Sequence, residues 1–294
     1  MSLSNPQPIP RSHLEGQSDR TGGARFETLW VAGSLAGLDA PTVAIVGTRA
    51  ASAIGRRRAY ELAATLGRNG VCVISGLAVG IDAAAHEGAI EARAPTIGVL
   101  GGGHRQFFPS ANRRLAEAMI ATGGAVVSGF APDHPALPFQ FLQRNAIVAT
   151  LADAVVVVEA ATRSGALNTA AWAADLARPV LAFPGEVERA KIAGCLNLIR
   201  DGATLVRDAD DVLAALPVGF ARPARTPAAA PGRVVREPLA ARIVDAIENG
   251  DTVLDAILAR IDANPAAVLA MLTELELLGD IARDAGSTYS VTGA

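Results

Sequence analysis

The chain has 294 residues, half of them hydrophobic, with a mean hydropathy of +0.31 and a net charge of −3. That length suits one large domain, or a medium domain with a small appendage, around a sizeable core. No apolar run reaches the ~18–20 residues of a bilayer span, the N-terminus lacks signal-peptide order, and two cysteines and four scattered histidines give neither a disulfide framework nor a metal spacing.

The expectation is therefore a cytoplasmic protein with no membrane contact and no bound metal. In chain order, residues 1–27 are polar and carry Pro and Gly, and read as disordered. TLWVAGSL (28–35) reads as a lead-in strand. Apolar, β-branched runs recur at 43–46, 71–74, 96–100, 125–127, 154–158 and 179–183, with helical patterns such as 56–70 and 113–124 between them. Runs apolar on both faces and separated by helices predict an α/β fold, a mostly parallel sheet with helices on both faces. A last strand and helix (204–216) close this domain, 28–217. Five prolines over 217–238, among Ala, Gly and Arg, mark a linker, 218–237. Three helical patterns (238–250, 251–263, 264–280) and a hairpin pattern (281–291) make a small winged-helix-like domain, 238–294.

Chemistry concentrates in the turns that follow the strands, where an α/β sheet builds a phosphate-binding rim. Gly47-Thr48-Arg49 leaves the strand VAIV with a glycine for close approach and a permanently charged fork. The spacing is not GxGxxG, and no acidic residue follows at the ribose-binding distance, which argues against NAD. Ser75-Gly76 and Gly80-Ile81-Asp82 form the second loop; Asp82 stands at an N-cap position, and His86 falls on the same helical face. Ser75 has no nucleophile-elbow context, so nucleophilic catalysis has little support. Gly101-Gly102-Gly103 suggests close backbone approach to a ligand, and Phe107 and Phe108 offer either a stacking face or core. Arg144 and Asn145 at a helix N-terminus suit phosphate and sugar contacts. Arg163, Ser164, Gly165 and Thr169 follow VVVVE in the same way.

Taken together and in this order, GTR (47–49), SGLAVGIDAAAH (75–86), GGGHRQFFPSAN (101–112), FLQRNAIV (141–148), EAATRSGALNTA (159–170), PGE (184–186) and GCLNLI (194–199) resemble the DNA-processing protein A family, also called Smf. The resemblance covers about 30–217 and implies an extended Rossmann-like fold in a non-catalytic homodimer. Such a protein binds single-stranded DNA in a positive pocket and loads the RecA recombinase in natural transformation, without a cofactor. On that pattern Arg49 and Arg144 neutralise phosphates, Gly47, Ser75, Gly76, Gly101 and Gly103 give N–H groups or clearance, and Phe141 packs near or stacks on the strand. Thr48, Gly80, Asp82, Pro109, Asn112, Asn145, Arg163, Ser164, Gly165 and Thr169 complete the set that the motifs carry over as DNA- or phosphate-binding. Binding of that kind is non-specific, salt-sensitive and assisted by stacking.

The sequence departs from the family pattern in places. Ala146 replaces the second arginine of RNR, which removes one expected phosphate contact; Phe108 replaces a tyrosine; Leu196 replaces the asparagine of GxNxLI; and Lys191 is the chain's one lysine. Residues 237–294 carry three basic side chains against ten acidic ones, and the candidate recognition helix (264–280) has Glu274, Glu276 and Asp280 with no basic residue. A helix entering a phosphate-lined groove should be basic, so this domain reads as a protein-contact or autoregulatory module. Two other readings of the fold stand beside the first. One is a nucleotide phosphoribohydrolase, for which Glu159 would have to face the pocket; the other is a sensor of a free nucleotide.

Overall fold

Short runs in which every residue is buried, spaced by helices, build a sheet covered on both faces. The computed structural model describes residues 3–10, 26–216, 238–277, 281–283 and 288–291 and divides into two compact units, Met1–Pro223 and Ala224–Ala294. The first unit holds strands β1 (Gln7–Pro10), β2 (Thr28–Gly33), β3 (Thr42–Val46), β4 (Cys72–Ser75), β5 (Thr96–Leu100), β6 (Ala125–Ser128), β7 (Ala154–Val157), β8 (Val180–Ala182) and β9 (Thr204–Leu205). Its helices are α1 (Ala53–Arg68), α2 (Ile81–Glu91), α3 (Arg113–Ala121), α4 (Gln140–Leu151), α5 (Gly165–Asp175), α6 (Ala193–Arg200) and α7 (Ala209–Ala214). The strand order is β1-β2-β6-β5-β4-β3-β7-β8-β9, parallel from β6 to β9, with β1 and β2 antiparallel.

The alternation along each strand decides which layer it feeds. Val43, Ile45, Val73 and Val156 pack with Leu62, Leu66, Ala85 and Val212 from α1, α2 and α7. Ala44, Val46, Ile74, Val155 and Val157 pack with Ile147, Leu151 and Ala170 from α4 and α5. Each such Val, Ile or Leu, fully buried, contributes about 1.5–3 kcal/mol, so both layers are strongly specified. α1 starts three residues before the predicted 56, because Ser52 caps it by accepting a hydrogen bond from the Gly55 N–H (2.9 Å).

From β3 the chain winds through α1, α2 and α3 out to β6, then returns across β3 through α4 to β7. Val46 lies beside Val157 in register, so the exits of β3 and β7 are adjacent where the winding reverses. A crevice at the carboxyl ends of such strands is where open α/β sheets hold ligands.

The expectation of disorder over 1–27 fails for the described part of that segment. β1 pairs with β2 from Gln7↔Val31 to Pro10↔Thr28, and Leu3 is buried against Ala32 and Met119. Pro8 and Pro10 read as breakers, but β1 is an edge strand, and edge strands tolerate missing donors. Residues 11–25 and the linker expected at 218–237 lie outside the described residues.

The second unit has helices α8 (Pro238–Glu248), α9 (Leu254–Arg260) and α10 (Pro265–Leu277), followed by the antiparallel strands β10 (Ile281–Arg283) and β11 (Tyr289–Val291). Ile243, Ile257, Val268, Leu272, Ile281 and Tyr289 form its core. Among the described residues, no helix is long and apolar enough to cross a membrane.

Candidate functional site

A cleft of about 380 Å³ opens at the exits of β3, β4 and β7. Four segments wall it: Val46–Arg49 after β3, Gly76, Ala78 and Asp82 around the start of α2, Pro138 to Val148 along the first turns of α4, and Ser164 to Thr169 at the start of α5. Of the residues expected here, Gly47, Thr48, Arg49, Gly76, Asp82, Phe141, Arg144, Asn145, Ser164, Gly165 and Thr169 line it.

The loop after β3 is held from beneath. The Thr48 N–H donates to the Glu159 carbonyl (2.7 Å), and the Ile81 N–H donates to the Thr48 carbonyl (3.3 Å). Gly80 has φ +91°, and a Cβ there would stand 2.5 Å from the Thr48 carbonyl oxygen, so both conformation and clearance require glycine. The loop presents Arg49 exposed, its guanidinium 5.0 Å from the centre of the Phe141 ring.

Arg144 comes from the other side. It lies in the second turn of α4, not at the N-terminus, and only 4% of it is exposed. Its Nη1 donates to the Val99 carbonyl (2.9 Å), and the guanidinium fills the space that a Cβ on Gly76 would need and lies 5.9 Å from the centre of the Phe141 ring. Arg49 and Arg144 therefore share one ring, each close enough for a cation–π contact.

Asp82 is not the N-cap of α2; Gly80 holds that place. The Asp82 carboxylate instead accepts from the Gly76 N–H (3.1 Å) and the Ala78 N–H (3.4 Å), fixing the turn after β4. Burial pushes its carboxyl above the usual range, opposed chiefly by the charge of Arg144. The same burial lowers Arg144 to about 10, with Asp82 pulling the other way. His86 does not form an acid/base pair with Asp82. Its Nδ1 meets Thr96 Oγ1 at 2.7 Å, and burial together with the Arg144 charge drops it to about 3, so it is neutral at physiological pH.

Several expected site residues sit outside the cleft lining. Ser75 is fully buried and donates to the Ile45 carbonyl (2.6 Å). Gly101 gives clearance to the Phe141 ring, and Gly103 to the carbonyls of Ala131 and Pro132, so these glycines make room for protein, not for a ligand. Asn112 donates to the Leu77 carbonyl (2.9 Å), Pro109 follows a cis peptide, and Arg163 is exposed away from the lining. Asn145 donates to the Gly165 carbonyl (3.0 Å), which ties α4 to α5.

Sequence reasoning missed the apolar wall: Val46, Ala78, Pro138, Leu142, Val148 and Ala166. Phe141, Arg144 and Val148 follow one another at helical spacings of three and four, and that was the available signal. Ala146 corrects a second expectation, because it faces away from the cleft. It lines a separate cavity of about 350 Å³ with Phe26, Phe130, Ile147 and Trp172, so an arginine there would not add a phosphate contact in the cleft. Glu159 is buried and binds the Ser52 N–H (2.8 Å) and hydroxyl, outside the lining. Among the described residues there is no cluster of His, Cys, Asp or Glu suited to a metal.

The family model for DNA recombination-mediator protein A matches residues 24–217, and that for the DprA winged helix domain matches 222–287. A DNA processing protein DprA of Mycobacterium tuberculosis is 46% identical over 170 residues, 58% of this chain and 43% of that protein, so the chain matches under half the length of that relative. The X-ray structure of DNA processing protein A from Streptococcus pneumoniae is 35% identical, with a TM-score of 0.66 over 74% of this chain and 76% of that one. The DNA processing protein A of Helicobacter pylori, solved for its single-stranded DNA binding mode, is 25% identical, with a TM-score of 0.62 over 73% of this chain and 97% of that one. One family model spans well over half of the chain and a second matches the appended winged helix: the chain belongs to the DNA recombination-mediator protein A family.

Proposed function

We propose that this chain binds single-stranded DNA in the cleft at the switch point and, as a homodimer, delivers the strand to the RecA recombinase during transformation and recombination. The observation that carries the reading is the convergence of Arg49 and Arg144 on the Phe141 ring inside a cleft whose remaining wall is backbone, apolar side chains, neutral polar ones (Thr48, Asn145, Ser164, Thr169) and a single acid, Asp82. Cations beside aromatic and apolar surface suit a strand whose phosphates and unpaired bases are both accessible. The Helicobacter pylori relative, described by its single-stranded DNA binding mode, supports the choice of ligand. No reaction on the strand is part of this proposal. The hydrolase reading is the weaker one, because its candidate carboxylate, Glu159, is committed to Ser52.

The winged-helix unit is assigned a protein-contact role. α10 carries no basic residue, and its exposed positions include Glu274 and Glu276, so a phosphate-lined groove would repel it.

The test is fluorescence anisotropy of a labelled dT oligonucleotide across a salt series, beside the matching duplex. The expected result is single-strand preference with affinity falling as salt rises. Arg49→Ala is expected to weaken binding tenfold or more, about 1.5–3 kcal/mol for one charged contact. Unchanged affinity in that variant would remove the cleft from the proposal.

A further inference from the structure

We infer that Phe108, and not Phe141, presents the open ring on which a base of the bound strand stacks. The inference rests on the single-stranded DNA reading above and deepens it.

Two adjacent phenylalanines follow the glycine loop, and their surroundings differ. Phe107 is 8% exposed and packs in the α3 layer, with the Arg113 guanidinium 5.3 Å from its ring centre. Phe108 is 50% exposed. A half-exposed aromatic ring forgoes much of the burial that would stabilise it, so an apolar contact remains available there.

Phe141 lines the cleft but is already crowded. Arg49 lies 5.0 Å from its centre and Arg144 5.9 Å, and the backbone at Gly101 stands so near that a Cβ there would be 2.8 Å from ring atom Cδ1. Its role in this arrangement is to seat the two cations. Phe108 stands edge-on to it, centroids 5.9 Å apart and planes at 63°. The Phe108 ring and the Arg49 guanidinium therefore lie within about 11 Å of each other, a span that a nucleotide and its neighbour cover between phosphate and base. A base laid on Phe108 would be tilted from the plane of the Phe141 ring. Inside a duplex both faces of a base are covered by its stacked neighbours, so a base free to lie on Phe108 belongs to a single strand.

Stacking one base on an aromatic side chain is sequence-tolerant and, by alanine substitution, changes affinity roughly fivefold to a hundredfold. The experiment is binding of dT oligonucleotides carrying one 2-aminopurine, read by anisotropy and by 2-aminopurine emission, with the parent chain and with Phe108→Ala, Phe108→Leu and Phe108→Trp. Phe108→Ala and Phe108→Leu are expected to lose affinity by that factor, to keep the salt slope, and to lose the emission change on binding. Phe108→Trp is expected to retain all three. The exposed site makes a folding defect easy to recognise, and the leucine variant keeps the bulk while removing the π face. Parent-like binding and emission in Phe108→Leu would overturn the stacking assignment while leaving the DNA reading intact. A parent chain that binds no single strand at low salt would overturn the DNA reading and this inference together.

Discussion

Replacing Arg144 by methionine isolates what its charge does in the cleft. The side chain is 4% exposed and makes one charged hydrogen bond, to the Val99 carbonyl, while facing the buried Asp82 carboxylate. Loss of that bond costs about 1.5–3 kcal/mol. Leaving a buried charge without its counter-charge brings the total to about 3–5 kcal/mol. For a unit of this size that is a fall in Tm of about 6–20 °C. The pH dependence carries the argument. Asp82 titrates higher in the folded chain than its unfolded value of 3.8, because of burial. Its contribution to stability is therefore fully present below 3.8 and lost as pH rises through the folded value. Removing Arg144 takes away the largest influence that keeps the folded carboxyl low, so the loss extends to higher pH. The Tm deficit of Arg144→Met relative to the parent should then be smaller at low pH, where only the lost hydrogen bond weighs, than at high pH, and Asp82→Asn in the same chain should recover the pH-dependent part. A deficit equal at both pH values and untouched by Asp82→Asn would mean that Arg144 acts by filling space alone.

Ala146→Arg is expected to leave single-strand affinity and its salt slope unchanged, because the residue faces the cavity of Phe130 and Trp172 across α4; a gain in affinity by anisotropy would contradict the geometry. Removal of residues 224–294, the second compact unit, is expected to preserve single-strand binding by the first. A tenfold loss, about 1.4 kcal/mol, would assign the winged helix a DNA contact despite its acidic α10.

The strands were legible because their burial is nearly complete. VAIV and AVVV cannot alternate with solvent, and only a sheet covered on both faces accommodates them. The rim loops were legible through their glycines, but what each glycine avoids was not. Gly76 and Gly101 make room for Arg144 and Phe141, residues distant in sequence that only the closed sheet brings near. The same cause hid the depth of Arg144: a charged residue near a predicted helix start reads as exposed, and only the Val99 carbonyl and Asp82 reveal it as buried. β1 was missed because its prolines are permitted by a feature of topology, its place at the sheet edge.

The charges on the cleft wall bound how the strand is held. Arg49, Arg144 and Asp82 are the charged residues in the lining, a net of one positive charge, and Arg144 is partly offset by Asp82. Each phosphate neutralised in a single strand adds about 0.7 to the log–log salt slope. Binding confined to the cleft should therefore show a slope of about 0.7 to 1.4, from one or two phosphates. A weak electrostatic grip makes the apolar wall and the aromatic rings the larger part of affinity, which is the reverse of a basic groove. A measured slope well above that range would place the strand beyond the lining. An exposed cation beside the loop after β3 is Lys191, whose ammonium donates to the Ala50 carbonyl, next to Arg49. Lys191→Ala would then reduce the slope, whereas with binding confined to the cleft it would leave the slope unchanged.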